Sequence, residues 1–530
     1  MYITNLVPCI LLLIHSAFSF VPDPTVRLDY GNFQGKYNAV YNITYFRRIP
    51  FAAAPIGQNR FRSPQPPLPV TAAVYNSNRP FPGCPQRKEN GTEDCLFLGL
   101  YSRPWNKPAP KRPVVVFFYG GAFIQGAAGI GLPPSGFPTL NVSAENDFVM
   151  VCPNYRINAF GFLPGRKVKD SPDSDLNVGL LDQQAALQWV RKHVSKFGGD
   201  PDNVAIWGQS AGGGSVLAQL IANGGKTEPP LFNKAMASSP FWPKTYRYDS
   251  PEAEAIYDQM VTLTGCGNAP DSLKCLKEVD VQKVREASLI VSESHKYTTS
   301  AYTWAPVIDG TFLREPLSVA AQNGRLNGAV VFGMYNSHEG ENFIPGGLSK
   351  ASSSQGFNSS EARFEFWLRG FLPGISEAQL QQAMELYPAT GTTETMNYNN
   401  TYTRAGLISR DVTLTCPAYW VAKSAKKNGW LGEYTIAPAK HASDVGYWNT
   451  VNPLQTTQPR MYRDWVGAFG RFFQSGDPNT KAVTSIAQKV PEIKSGKELL
   501  VTSEGLSEAK LTKLEKRCSF WQSNGAQVPV

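Results

Sequence analysis

Val204-Ala205-Ile206-Trp207-Gly208-Gln209-Ser210-Ala211-Gly212-Gly213-Gly214 opens on an apolar run, turns through Gly-x-Ser-x-Gly and leads into Ser215-Val216-Leu217-Ala218-Gln219-Leu220. The apolar run reads as a buried strand and the segment after it as a helix. A strand that becomes a helix through Gly-x-Ser-x-Gly is the setting of a nucleophile elbow. Glycines flank the serine because a strained turn of this kind leaves no room for a Cβ beside it. A helix beginning at Ser210 adds N–H donors and the positive end of its dipole. Five residues alone could be a loop; the strand and helix on either side argue against one.

Outward from Ser210, further apolar runs lack the period-two alternation of a half-exposed strand. They are Pro113–Phe118, Phe148–Val151, Ala329–Met334 and Gly432–Ala437, with helical spacing over Leu181–Lys196. Such strands separated by helices predict an α/β fold: a large, mostly parallel sheet with helices on both faces. No linker or repeat divides the chain, so residues 20–530 are expected to form a single domain. A hydrophobic content of 42% suits a large core. Phe46–Gly57 reads on composition as a Pro-rich surface turn. The net charge is +9, but the Lys and Arg residues are scattered and no basic run is interleaved with aromatics. That argues for a solvated surface and against nucleic-acid binding.

The chain begins with an apolar run, Leu6–Ile14, too short to span a bilayer and followed by Ala17-Phe18-Ser19. This reads as a signal peptide over residues 1–19, though its n-region carries no Lys or Arg. No other stretch looks transmembrane, so stable membrane insertion is not expected, and nothing specifies an oligomeric state. Sequons at Asn42, Asn90, Asn141, Asn358 and Asn399 fit an exported glycoprotein. After the leader come seven cysteines: Cys84, Cys95, Cys152, Cys266, Cys275, Cys416 and Cys518. The odd count leaves one unpaired. Cys152 lies in an apolar strand-like run and is the natural free thiol. The pairing of the other six is open.

A serine hydroxyl needs a base to take its proton, most often His. In α/β-hydrolases the order along the chain is Ser, then Asp or Glu, then His. His441, in the loop after the Gly432–Ala437 strand, is the candidate base. His193 and His295 are read as structural. The acid must lie between, in Asn336-Ser337-His338-Glu339-Gly340-Glu341, where position alone gives Glu339 and Glu341 equal standing. The acid would hold the imidazole in its working tautomer. An oxyanion needs donors fixed in advance. Gly121 and Ala122 follow the Pro113–Phe118 strand, and the Ala211 N–H follows the nucleophile. Phe241, Trp242 and Trp304 are candidates for an acyl-pocket wall, or equally for core.

These blocks resemble the type-B carboxylesterase/lipase family, which includes cholinesterases and secreted fungal lipases, from about Val26 to Trp521. Its two signatures are matched by Glu93-Asp94-Cys95-Leu96 and by the serine block. Tyr119–Phe123, Asn154-Tyr155-Arg156, Trp304–Gly310, His338-Glu339-Gly340, His441–Val445 and Gly476-Asp477-Pro478-Asn479 match as well. The resemblance implies an α/β-hydrolase fold with Glu339 as the acid. It also implies the disulfides Cys84–Cys95, Cys266–Cys275 and Cys416–Cys518. Two departures stand out. Gln209 replaces the usual Glu beside the nucleophile, and Ala122 replaces the third glycine of the oxyanion loop.

The expected activity is secreted serine ester hydrolysis through an acyl-enzyme, on a small-molecule ester, with no metal or organic cofactor. The alternatives are a triacylglycerol lipase, an acyltransferase using the same acyl-enzyme, and a non-catalytic cholinesterase-like binding protein. Lipases of this family use the first cysteine loop as a lid, and cholinesterases place an aromatic there. Here ten residues separate Cys84 from Cys95 and none is aromatic. That loop is too short to cover a gorge and too polar for a lipid interface. It offers choline no cation–π face. Soluble esters of modest acyl length are therefore expected. A lid from another segment, Ala127–Pro138, is the competing expectation.

Overall fold

The computed structural model describes residues 23–105, 110–128, 131–142, 146–294, 304–352, 356–480 and 488–525. The expected signal peptide, 1–19, lies outside them, as does His295. Eleven strands among the described residues form one sheet. In chain order they are β1 (Lys36–Asn38), β2 (Ile43–Pro50), β3 (Phe97–Ser102), β4 (Arg112–Phe118), β5 (Val149–Pro153), β6 (Gly199–Gln209), β7 (Lys234–Ser238), β8 (Val330–Asn336), β9 (Gly429–Tyr434), β10 (Lys497–Thr502) and β11 (Gly505–Lys510). Their order across the sheet is β11-β10-β9-β8-β7-β6-β4-β5-β3-β2-β1. The run from β10 to β5 is parallel throughout. The antiparallel pairs lie at the two ends.

Both faces of the central strands are buried, which explains the missing alternation. In β4, Val114, Val116 and Phe118 point into one core, while Val115 and Phe117 point into the other. β6 divides the same way, Val204 and Ile206 against Ala205 and Trp207. Helices Val178–His193 and Ala211–Ile221 supply Leu180, Leu187, Val190, Val216 and Leu217 to the first core. Helix Gly467–Ser475 supplies Phe469, Phe472 and Phe473 to the second. Trp207 packs there with Phe117, Trp448 and Phe473 at ring distances of 4.8, 4.9 and 5.0 Å. Each such pair contributes about 0.5–1.5 kcal/mol beyond area burial. The strand that delivers Ser210 is thus anchored just before the turn.

The N-terminal third corrects one expectation. Phe46–Pro50 is the second half of β2 rather than a surface turn, with Phe46 and Ile49 fully buried against the sheet. Pro50 is tolerated because it ends the strand, where no ladder N–H is required. The described cysteines form Cys84–Cys95, Cys266–Cys275 and Cys416–Cys518 bridges. Cys152, in β5, is free and buried, and burial pushes its thiol up to about 12. Among the described residues no helix is long and apolar enough to cross a membrane.

Candidate functional site

β6 and β4 are neighbours, and the segments leaving their C-terminal ends meet. Ser210 follows β6 directly and sits at φ 57°, ψ −125°, a strained backbone. Its flanking glycines are required by contact. A Cβ on Gly208 would stand 2.2 Å from the Gly212 carbonyl oxygen, and one on Gly212 would stand 2.0 Å from the Phe118 oxygen. No side chain fits at either position, so the elbow can be this sharp only with glycine. The Ser210 carbonyl accepts the Gly214 N–H at 2.9 Å and the Phe241 N–H at 2.8 Å, which fixes the turn from two sides.

The loop after β4 lies against this elbow. A Cβ on Gly120 would stand 3.0 Å from the Ser210 Cβ. Ala122 and Phe123 take φ of 56° and 60°, left-handed values that cost L-residues on the order of 1 kcal/mol each. Among the described residues, the N–H groups of Gly121, Ala122 and Ala211 donate to no backbone carbonyl. Two loops of different strands therefore present unspent donors around one serine.

His441 enters from the loop after β9. Its Nε2 stands 2.8 Å from Ser210 Oγ and its Nδ1 stands 2.9 Å from Glu339 Oε2. Glu339 is fully buried, and its Oε1 accepts the Asn336 N–H at 3.1 Å. Asn342 Oδ1 accepts the His441 N–H at 3.0 Å. The Phe343 ring stands edge-on to the imidazole at 5.0 Å and stacks on Phe241 at 5.4 Å. The structure thus brings Ser210, His441 and Glu339 into one relay, and it keeps Glu341 out of it. Glu341 instead bonds His338 Nδ1 at 2.8 Å and pairs with Lys440 Nζ. Burial raises the Glu341 carboxyl, but the His338 and Lys440 bonds outweigh it and hold the group below its ordinary range. His193 lies away from the site, beside Asp29 at 3.6 Å.

The support beneath the relay has no signature in the sequence. Asn336 Nδ2 donates to the Lys440 carbonyl at 2.8 Å and to Asp444 Oδ1 at 3.1 Å, tying the acid loop to the histidine loop. Asp444 Oδ2 accepts the Trp448 Nε1–H at 2.9 Å. Burial pushes the Asp444 carboxyl up, and the nearby Glu339 adds to this against those two bonds. Deeper, Arg410 donates to the Ser337 carbonyl at 3.0 Å, and the Ser337 hydroxyl donates to Glu433 at 2.9 Å. These partners lie up to 108 residues apart, so only the fold assembles them. Of the three aromatics singled out by sequence, Phe241 reaches the site through Phe343. Trp242 and Trp304 are fully buried core, with Trp304 Nε1 bonded to the Ser288 carbonyl at 3.0 Å.

Comparison with known proteins gives a consistent picture. The family described as "Carboxylesterase family" matches residues 22–521. Lipase 4 of Diutina rugosa is 30% identical over 410 residues, 71% of this chain and 72% of that protein. Carboxylesterase patB of Penicillium expansum is 27% identical over 446 residues, 81% of this chain and 75% of that protein. Among solved structures, Aspergillus niger EstA superposes with a TM-score of 0.81 at 28% identity, covering 96% of this chain and 99% of its own.

Proposed function

The chain belongs to the carboxylesterase family and is a carboxylic-ester hydrolase, and on that premise we propose that it works through an acyl-enzyme on Ser210. The observation that carries this reading is the relay Ser210–His441–Glu339, at 2.8 and 2.9 Å. His441 Nε2 takes the Ser210 proton as Oγ attacks the ester carbonyl. The Gly121, Ala122 and Ala211 N–H groups receive the oxyanion, and such donors are worth roughly 10²–10³-fold each in rate. Glu339 stabilises the imidazolium, which then protonates the departing alcohol. A water molecule activated by the same imidazole releases the acid. Every step uses groups of this chain.

For the substrate we infer soluble esters of modest acyl length. The Cys84–Cys95 loop supports this: Lys88, Glu89, Asn90 and Asp94 are its exposed positions, and no apolar face turns outward there. Arg87 pairs with Glu293 at 2.6 Å, which ties the loop to helix Val281–Ser294. A mobile cover over the site is therefore not to be expected from this loop. The Diutina rugosa relative is a lipase, which keeps the lipase reading as the competitor, with a cover drawn from 127–138. Rates on a p-nitrophenyl ester series, with tributyrin below and above its solubility limit, decide between them. Smooth saturation and short-chain preference support the esterase; a jump at the limit refutes it. Export as a glycoprotein is part of the same proposal. Asn42, Asn90, Asn141 and Asn399 are exposed and Asn358 is half-buried. An unchanged electrophoretic mobility of the secreted protein after enzymatic deglycosylation would count against it.

A further inference from the structure

Gln86 belongs to the loop closed by Cys84–Cys95, yet only 2% of its surface is exposed. Its side chain pairs at both ends with the backbone of Gly126, and its Nε2 also donates within the loop to the Cys84 carbonyl at 3.2 Å and to Glu89 Oε1 at 3.4 Å. Gln86 Oε1 accepts the Gly126 N–H at 2.8 Å, and Gln86 Nε2 donates to the Gly126 carbonyl at 3.0 Å. A side-chain amide here does what a neighbouring strand would do. The residue before it makes a second connection. Asn158 Nδ2 donates to the Pro85 carbonyl at 2.7 Å, and the Asn158 N–H donates to the Phe123 carbonyl at 2.6 Å. Two consecutive residues of the disulfide loop thus hold the loop after β4 at Phe123 and at Gly126. Gln86 is itself held, its carbonyl accepting Arg285 Nε–H at 2.7 Å.

From Gly126 the constraint passes to the peptide joining Gly121 and Ala122. The Gly121 carbonyl accepts the N–H groups of Ile124 and Gln125 at 3.0 and 3.1 Å. A peptide unit is planar, so fixing its oxygen aims its N–H the opposite way. That N–H belongs to Ala122. The two ends of the loop are also pressed together, since a Cβ on Gly126 would stand 2.4 Å from the Gly120 carbonyl oxygen. With Ala122 and Phe123 in left-handed backbone, the loop does not hold this shape by local preference.

We propose that Gln86 is a positioning residue for ester hydrolysis: through Gly126 it orients the Gly121–Ala122 peptide so that the Ala122 N–H meets the oxyanion. The disulfide loop is then a fixed strut rather than a lid. The proposal rests on the oxyanion assignment given above. Gln86→Met removes both bonds to Gly126, together with the one to the Cys84 carbonyl, at near-constant volume; Gln86→Glu keeps the oxygen that accepts from Gly126 but sets its other oxygen against the Gly126 and Cys84 carbonyls. Each variant is compared with wild type by active-site titration, by kcat per titrated site, by KM, and by affinity for phenylboronic acid, whose tetrahedral adduct puts an oxygen in the hole. For Gln86→Met, kcat per site falls on the order of 10- to 100-fold, part of what outright loss of a donor costs. KM stays within about threefold, and boronic acid affinity falls by a factor similar to that in kcat. Gln86→Glu, with acceptor facing acceptor at Gly126, falls on both as well, and it alone decides if the methionine variant does not fold. Values of kcat per site and boronic acid affinity within about twofold of wild type would overturn the proposal while leaving the esterase reading standing. So would a loss confined to the number of titrated sites. A wild-type protein that titrates no nucleophile would instead overturn the acyl-enzyme reading itself.

Discussion

Glu339→Gln isolates the acid of the relay, because the structure fixes which way the new amide faces. In the native site Glu339 Oε1 accepts the Asn336 N–H at 3.1 Å and Oε2 meets His441 Nδ1 at 2.9 Å. An amide has one acceptor and one donor end. Its oxygen must stay on the Asn336 N–H, since an NH₂ there would face donor against donor. The NH₂ is then turned to His441 Nδ1, which must accept, and the ring proton moves to Nε2. With Nε2 protonated the imidazole no longer takes the Ser210 proton. The side chain keeps its size, so folding is retained while kcat falls on the order of 10⁴-fold, about 5.5 kcal/mol in the barrier. Glu341→Gln is the control. Its carboxylate touches His338 and Lys440, not His441, and kcat should stay within about tenfold of wild type. Steady-state hydrolysis of a soluble aryl ester measures both, with the thermal midpoint recorded alongside. A Glu339→Gln enzyme within about tenfold of wild type beside a Glu341→Gln enzyme losing about 10³-fold or more would refute the reasoning.

Cys152 should not react with a water-soluble alkylating reagent in the native protein, because it is buried and its thiol is pushed up to about 12. It should react once the chain is denatured, and native labelling at Cys152 would contradict the burial. Glu341 has a second consequence, for stability against pH. Its carboxyl is held below its ordinary value of 4.5, so its contribution is complete above that value and is lost as pH falls through the lower folded one. Glu341→Gln should therefore flatten the acid side of the stability curve, measured by denaturant unfolding at successive pH values. An unchanged acid slope would show that the Lys440 and His338 bonds do not stabilise the charged form.

Most of the sheet could be read from the chain because its central strands bury both faces. Val114–Phe118 and Val204–Trp207 admit few alternatives once neither shows alternation. β2 was hidden for the opposite reason. Its run Phe46-Arg47-Arg48-Ile49-Pro50 breaks the apolar pattern, and only pairing with β3 makes it a strand. Ser210 and its glycines were legible since the turn's steric demand is local. The choice between Glu339 and Glu341 was not. The two lie two residues apart in one 3₁₀ turn, and the direction of each side chain is set by partners around residue 440. The same holds for Asn336, Asp444 and Gln86, each of which works through a hydrogen bond to a distant backbone or side chain.

The claim on which the rest depends is that Ser210 is the residue acylated in turnover. An aryl phosphonate that reacts irreversibly with activated serines tests it directly, read by intact mass and then by mapping the modified peptide. One equivalent of label per chain is expected, carried by the peptide containing Gly208–Gly212, with ester hydrolysis lost in proportion. Ser210→Ala should take up no label, keep its fold and hydrolyse nothing above background. Label on another serine, or ester hydrolysis persisting in Ser210→Ala, would contradict it.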